Sequence, residues 1–135
     1  MTLKTIEVVA AIIVNDGKVF ATQRGYGEFK DKWEFPGGKI EPGETPEDAL
    51  VREIKEELAT DIEVQDHLCT VDYDYPKFHL KMNCYMCKVL TGDLTLIEHE
   101  DAKWLNKGTI WSVDWLPADE EVVKEIVKHA EGFEI

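Results

Sequence analysis

Residues Gly38 to Leu58 read GKIEPGETPEDALVREIKEEL, a glycine-containing loop running into a helix with Glu53, Glu56 and Glu57 close together on one side. Each helical residue turns about 100°, so positions i, i+3 and i+4 fall within about 100° of one another. Like charges at this spacing cost a helix about a few tenths of a kcal/mol per pair, and a trio facing one point suggests a cation between them. Carboxylate oxygens suit Mg²⁺ or Mn²⁺. Thr45 is placed to cap the helix and Pro46 fits its first turn. Glu47 and Asp48 complement the positive end, with Asp48 in the capping-box position. Leu50, Val51, Ile54 and Leu58 fall on a different arc, so the helix is expected to bury one face and present acid along its edge. Arg52 precedes the first acid and reaches a carboxylate along or across the helix, which assigns it to orienting a glutamate.

Upstream, a strand is expected from Glu7 to Val14, a turn at Asn15-Asp16-Gly17-Lys18 and a second strand from Val19 to Gln23. Gly25 to Lys32 reads as a loop, Trp33-Glu34-Phe35 as a short strand, and Pro36-Gly37-Gly38 as the turn that feeds the helix. Downstream, Ile62 to Tyr75 and His79 to Leu90 read as two long strands joined at Pro76-Lys77, and Lys103 to Leu105 as another short strand. Val122, Val123, Ile126 and Val127 give Glu120 to Ala130 helical spacing and a packed face. This mixed order implies an α+β fold.

A chain of 135 residues with 44% hydrophobic content can bury one core, so one domain over residues 1–135 is expected. The formal charge of −13 argues against binding polymeric nucleic acid, which draws on clustered Lys and Arg. A small phosphorylated substrate is compatible with it, its charge met by divalent metal and a few basic groups. Lys39 in the loop is the first such group, and Arg24 at the end of the second strand is the next. The apolar run from Val8 to Val14 is too short to cross a bilayer. No export signal is recognised, and three cysteines are an odd number, so a cytoplasmic location with reduced thiols is expected, as monomer or homodimer. Cys84-Tyr85-Met86-Cys87 spells CxxC, but on a strand residues three apart point to opposite faces, which disfavours a redox or zinc role. Trp33, Trp104, Trp111 and Trp115 are spread through the chain with no basic cluster among them and read as core.

Gly38, five residues, Glu44, seven residues and then Arg52-Glu53-Ile54-Lys55-Glu56-Glu57 resembles the signature of the Nudix hydrolases. Ala59 and Thr60 depart from it, since the family usually has glycine and then an apolar residue there; the departure touches the helix exit rather than the acids. The resemblance covers nearly the whole chain and is strongest to the MutT-like branch. IEVVAAII is similar to that branch's first strand, and Leu116-Pro117-Ala118-Asp119 to the segment that carries a base-recognising Asn or Asp. Glu98 followed by Trp104 resembles the loop that supplies a further metal-binding glutamate, with Glu100 as its substitute.

The resemblance implies an α/β/α sandwich around a mixed sheet and cleavage of nucleoside triphosphates to monophosphate and pyrophosphate by attack at the β-phosphorus. It implies that Glu53, Glu56, Glu57, a Gly37 or Gly38 carbonyl and Glu98 hold two or more Mg²⁺ ions. Glu53 is then the first candidate for the general base and Glu98 the second, while Glu44 supports the loop. Phe78 either stacks on the base or packs at a hairpin end. Asp119, taken as an ionised carboxylate, accepts hydrogen bonds only, which suits the N–H groups of cytosine, guanine or 8-oxoguanine; alternatively it caps the last helix. ADP-ribose or dinucleoside polyphosphates would use the same metal site, and a noncatalytic nucleotide sensor is the reading from a different class.

Overall fold

The computed structural model describes residues 3–96 and 99–129, apart from the side chains of Glu100 and His129. The chain opens with β1 (Thr5–Asn15) and β2 (Lys18–Arg24), joined through Asp16 and Gly17. Both turn residues have positive φ, 53° and 74°, the geometry that matches strand twist in a two-residue hairpin. Two short strands follow, β3 (Trp33–Glu34) and β4 (Gly37–Lys39), and then α1 (Pro46–Leu58). A long hairpin, β5 (Asp61–Tyr75) and β6 (Phe78–Thr91), precedes β7 (His99–Leu105) and α2 (Pro117–His129). No described helix is long and apolar enough to cross a membrane.

The strands form a mixed sheet ordered β3-β2-β1-β6-β5, with β4 pairing β1 and β7 pairing β2. On one edge β1 runs parallel to β6 from Thr5 to Ile13. Its other edge is shared, since Val8 to Ala10 pair with β4 and Val14 and Asn15 pair with β2. The middle of β1 is apolar without alternation because both of its faces are covered. Val9, Ala11 and Ile13 pack with Ala49, Leu50, Ile54 and Leu58 of α1, whereas Ala10 and Ile12 pack with Val122, Val123 and Ile126 of α2. One helix therefore lies on each side of the sheet, the α/β/α layering implied above.

Thr45 caps α1 as its residue type suggests, its hydroxyl accepting from the Asp48 N–H at 3.1 Å. Leu50, Ile54 and Leu58 are fully buried. Each such side chain contributes about 1.5–3 kcal/mol, which outweighs the few tenths lost per like-charged pair along the acidic edge. The helix ends at Ala59 in the left-handed region, φ 51° and ψ 39°, the conformation glycine usually supplies. Thr60 is fully buried; its hydroxyl donates to the Leu58 carbonyl and accepts from the Leu94 N–H. The chain's departure from the family pattern thus builds a polar clasp at the helix exit.

Several expectations are corrected. Gly37 and Gly38 are not a turn: with Lys39 they form β4, because the edge of β1 offers them a ladder. Val51 and Val127 are exposed at the margins of their helices, beyond the arc that the sheet covers. Trp33 and Trp115 are core, while Trp104 and Trp111 are substantially exposed. The last helix begins at Pro117 rather than Glu120, and β7 starts at His99, so Glu100 and Asp101 belong to a strand paired with β2. Cys84 and Cys87 do face opposite ways, into the α2-side and α1-side cores.

Candidate active site

The loop before α1 and the acidic edge of that helix are joined by one side chain. Arg52 donates Nε and Nη2 to the two oxygens of Glu44 at 2.7 and 2.8 Å, a bidentate pair. Its Nη2 also reaches the Lys39 carbonyl at 3.1 Å, and its Nη1 reaches Glu53 at 3.0 Å and Glu56 at 3.3 Å. Glu44 accepts the Glu41 N–H as well, so one carboxylate closes the loop and fixes the arginine. The Arg52 hydrogen bonds and the Glu41 N–H hold Glu44 down to about 2. The Arg52 guanidinium is correspondingly held charged by Glu44 despite partial desolvation.

The three glutamates are therefore divided rather than aimed at one point. Glu53 and Glu56 meet the Arg52 guanidinium, whereas Glu57 is buried and its Oε2 accepts the Gly37 N–H of β4 at 3.3 Å. Among the described residues no three His, Cys, Asp or Glu side chains are gathered tightly enough to enclose a metal ion. The donor chemistry nevertheless fits a hard divalent cation: the three supply oxygen only, and Glu56 lies largely in solvent with freedom to swing. The backbone fits too. A Cβ on Gly38 would occupy the place of the Glu53 carboxylate, so glycine lets that group lie directly against β4. Lys39 follows with its side chain exposed.

On the other side of β4 a cleft of about 140 Å³ opens between Arg24, Phe35, Tyr75, Phe78, Met82 and Asp119, with Glu34, Gly37 and Gly38 also on its wall. Phe78 stacks on Tyr75, ring centroids 5.1 Å apart, and still faces the cleft, so packing and lining coexist. The Tyr75 hydroxyl accepts the Ala118 N–H at 3.2 Å, fixing the hairpin tip to the first turn of α2. A smaller polar recess between Tyr26, Glu57 and His99 shares Arg24, Glu34 and Gly37 with the cleft. The two hollows thus run from the aromatic wall to the buried end of the acidic helix.

Arg24 does not extend freely toward this junction. Its Nη2 and Nε donate to both oxygens of Glu34 at 2.7 and 3.1 Å. Burial opposes its charge, and the Glu34 carboxylate more than compensates. Asp119 sits inside the first turn of α2 rather than at its cap, almost wholly buried, and accepts the Phe35 N–H at 3.1 Å. Burial first, and the nearby Glu34 second, push its carboxyl well above the usual range. Burial thus favours a protonated carboxyl, which both donates and accepts, over the ionised, accept-only group expected from sequence.

Of the residues singled out from sequence, Arg52, Glu53, Glu56, Glu57, Gly37 and Gly38 meet around β4 and α1, and Arg24, Phe78 and Asp119 meet in the cleft. Glu98 and the side chain of Glu100 lie outside the described residues. Glu34 and Tyr75 carry much of the cleft's polarity and were not singled out. Glu34 had one signal, an acid between two aromatics on a very short strand; Tyr75 had only its place beside a hairpin turn.

A model of the NUDIX domain matches residues 4–130. The CTP pyrophosphohydrolase of Escherichia coli K12 is 34% identical over 118 residues, covering 87% of each chain. The 8-oxo-dGTP diphosphatase of the same strain is 30% identical over 126 residues, covering 92% of this chain and 98% of its own. The solution structure of the E. coli ORF135 protein superimposes with a TM-score of 0.81 at 32% identity, covering 93% of this chain and 91% of that one.

Proposed function

The chain belongs to the NUDIX family of hydrolases, and from that membership we propose that it cleaves free nucleoside triphosphates to monophosphate and pyrophosphate, preferring cytosine or oxidised guanine nucleotides. The observation that carries this reading is the junction at Arg24, Glu34 and Gly37, shared by the aromatic cleft and the recess that reaches Glu57. A base seated against Phe78 and Tyr75 directs its phosphates along that path toward the carboxylates of α1.

Glu53, Glu56 and Glu57, a Gly37 or Gly38 carbonyl and Glu98 would hold Mg²⁺ or Mn²⁺, which when bound neutralises phosphoryl charge and makes water a stronger acid. Glu53 takes the proton of the attacking water, with Glu98 the second candidate. Arg52 keeps Glu53 in place by holding it from the side opposite the loop pair with Glu44. Water oxygen bonds to the β-phosphorus as the bond to the α–β bridging oxygen breaks. That oxygen leaves on the monophosphate, and the β- and γ-phosphates leave as pyrophosphate. Lys39, exposed beside the loop, meets phosphate charge, whereas Arg24 is committed to Glu34 and positions the junction.

Asp119 reads the base. One oxygen receives the Phe35 N–H, and a protonated carboxyl still presents a donor beside an acceptor. Cytosine, with N3 next to its amino group, and guanine, with O6 next to N1–H, both match such an edge. The relatives named for CTP and 8-oxo-dGTP support the same pair of bases.

A Mg²⁺-dependent hydrolysis panel of normal and oxidised triphosphates, ADP-ribose and diadenosine polyphosphates tests this reading. Monophosphate plus pyrophosphate from cytosine or oxidised guanine triphosphates, abolished in a folded Glu56→Gln protein, is the expected result. Preferred cleavage of ADP-ribose or diadenosine polyphosphates, or nucleotide binding without turnover, overturns it.

A further inference from the structure

Cys69 on β5 and Cys84 on β6 are direct partners across the antiparallel hairpin. The register slips between His67 and Cys69, and the cysteine pair opens the regular stretch that runs unbroken to Tyr75 and Phe78. Facing residues on antiparallel strands hold their Cα atoms about 4.5–5.5 Å apart and point to the same face. A disulfide spans Cα separations of about 4.4–6.8 Å, a range that includes the spacing of facing residues such as this pair.

The Cys84 thiol donates to the Met82 carbonyl at 3.9 Å, and the neighbouring thiols shift one another, Cys69 downward and Cys84 upward. Their access to solvent is unequal. Cys69 is half-buried, while Cys84 is sealed in the core with Val122, Val123 and Ile126 of α2. An accessible thiol with the greater thiolate character beside a hidden one is the arrangement of an attacking and a resolving cysteine. Cys87 provides an internal contrast, since it faces the α1-side core and burial pushes its thiol up to about 12.

We propose that the Cys69–Cys84 pair is an oxidation site at which peroxide forms a cross-strand disulfide within the β5–β6 hairpin. The Cys69 thiolate attacks one peroxide oxygen; the S–O bond forms, the O–O bond breaks and hydroxide leaves, taking a proton to become water. The Cys84 sulfur then attacks Cys69, the S–S bond forms and the sulfenic oxygen departs as a second water carrying the Cys84 proton. In balance, two thiols and one peroxide give one disulfide and two waters. The site stands apart from the acidic helix, so it holds whether or not the proposed hydrolysis is correct.

The test treats the folded full chain with hydrogen peroxide, alkylates remaining thiols after denaturation and maps the unreduced peptides by mass spectrometry. The expected product is two hydrogens lighter, contains a Cys69–Cys84 linked peptide within one chain, keeps one alkylatable thiol at Cys87 and reverts with dithiothreitol. Cys87→Ser should form the same link and Cys69→Ser should not. Three alkylatable thiols after treatment, sulfinic acid at Cys69 with Cys84 still alkylated, or a link only between chains overturns the proposal. The wild-type map decides between these outcomes even if a serine variant fails to fold.

Discussion

Gly38 and Glu53 share one space: any side chain at 38 would enter the volume that the Glu53 carboxylate fills. Glutamate can yield, because its end is flexible. Gly38→Ala should therefore leave stability nearly unchanged while displacing Glu53 and lowering kcat by about 10–100-fold, the usual cost of disturbing an oriented ligand. Gly37→Ala meets the Val9 backbone instead, which cannot yield without breaking the β1–β4 ladder. It should lose about 2 kcal/mol or more of stability. Thermal melts and steady-state kinetics on the two variants separate these effects, and equal stability losses would contradict the distinction.

Glu44 makes acid stability readable. Its pKa is lowered in the folded chain from 4.5 to about 2 by Arg52 and the Glu41 N–H. The stability it contributes is present above 4.5 and disappears as pH falls from there toward 2. Glu44→Gln should flatten the dependence of the urea midpoint on pH in that window, with little change in slope near neutrality.

His79 works in the opposite direction. Asp74 and then Asp72 raise its pKa from 6.5 by accepting from its two ring nitrogens. Its contribution is present below 6.5 and is lost as pH climbs through the raised value. His79→Gln should remove a decline in hairpin stability on the alkaline side of 6.5, measured by amide exchange at β5 and β6.

Asp119 carries a raised pKa in the folded state, so folding favours its protonated form and stability falls as pH rises through the raised value. Asp119→Asn keeps an acceptor for the Phe35 N–H without the charge. It should raise stability at pH 8 by about 1 kcal/mol or more while changing selectivity among bases. Asp119→Ala should also change selectivity but lose stability, and a uniform loss for every nucleotide in both variants would show that the residue does not read the base.

Ala59 occupies a left-handed conformation that costs a side chain about 1 kcal/mol. Ala59→Gly should therefore gain about 0.5–1 kcal/mol, because relief of strain at this site exceeds the added freedom of the unfolded chain. Denaturant titration measures it, and no gain would mean that the Thr60 clasp already absorbs the strain.

The cap of the acidic helix and, apart from Val51, its apolar arc were legible because both are local. The layering was expected from the family resemblance alone, and its physical reason lies in β1, whose unbroken apolar middle needs cover on two faces. What escaped depends on partners distant in sequence. Gly37 to Lys39 become a strand only because β1 offers an edge. The Asp119 carboxyl is pushed upward by burial and by Glu34, far away along the chain, against the opposing Phe35 N–H. The division of the glutamates could not be read from helical spacing, because Glu57 turns toward a backbone N–H that belongs to β4. Trp104 and Trp111 show the reverse limit: residue type alone does not say which side of a short strand or turn meets solvent.

The two cores flanking β1 have a consequence for how this protein can change. One layer of backbone separates the helix that carries the acids from most of the residues that line the aromatic cleft. Substitutions on the two sides share few neighbours and should combine nearly additively. Selectivity can then drift across generations without eroding the turnover machinery. The exception is the Gly37–Gly38 segment, which touches both sides, and it is there that epistasis should concentrate.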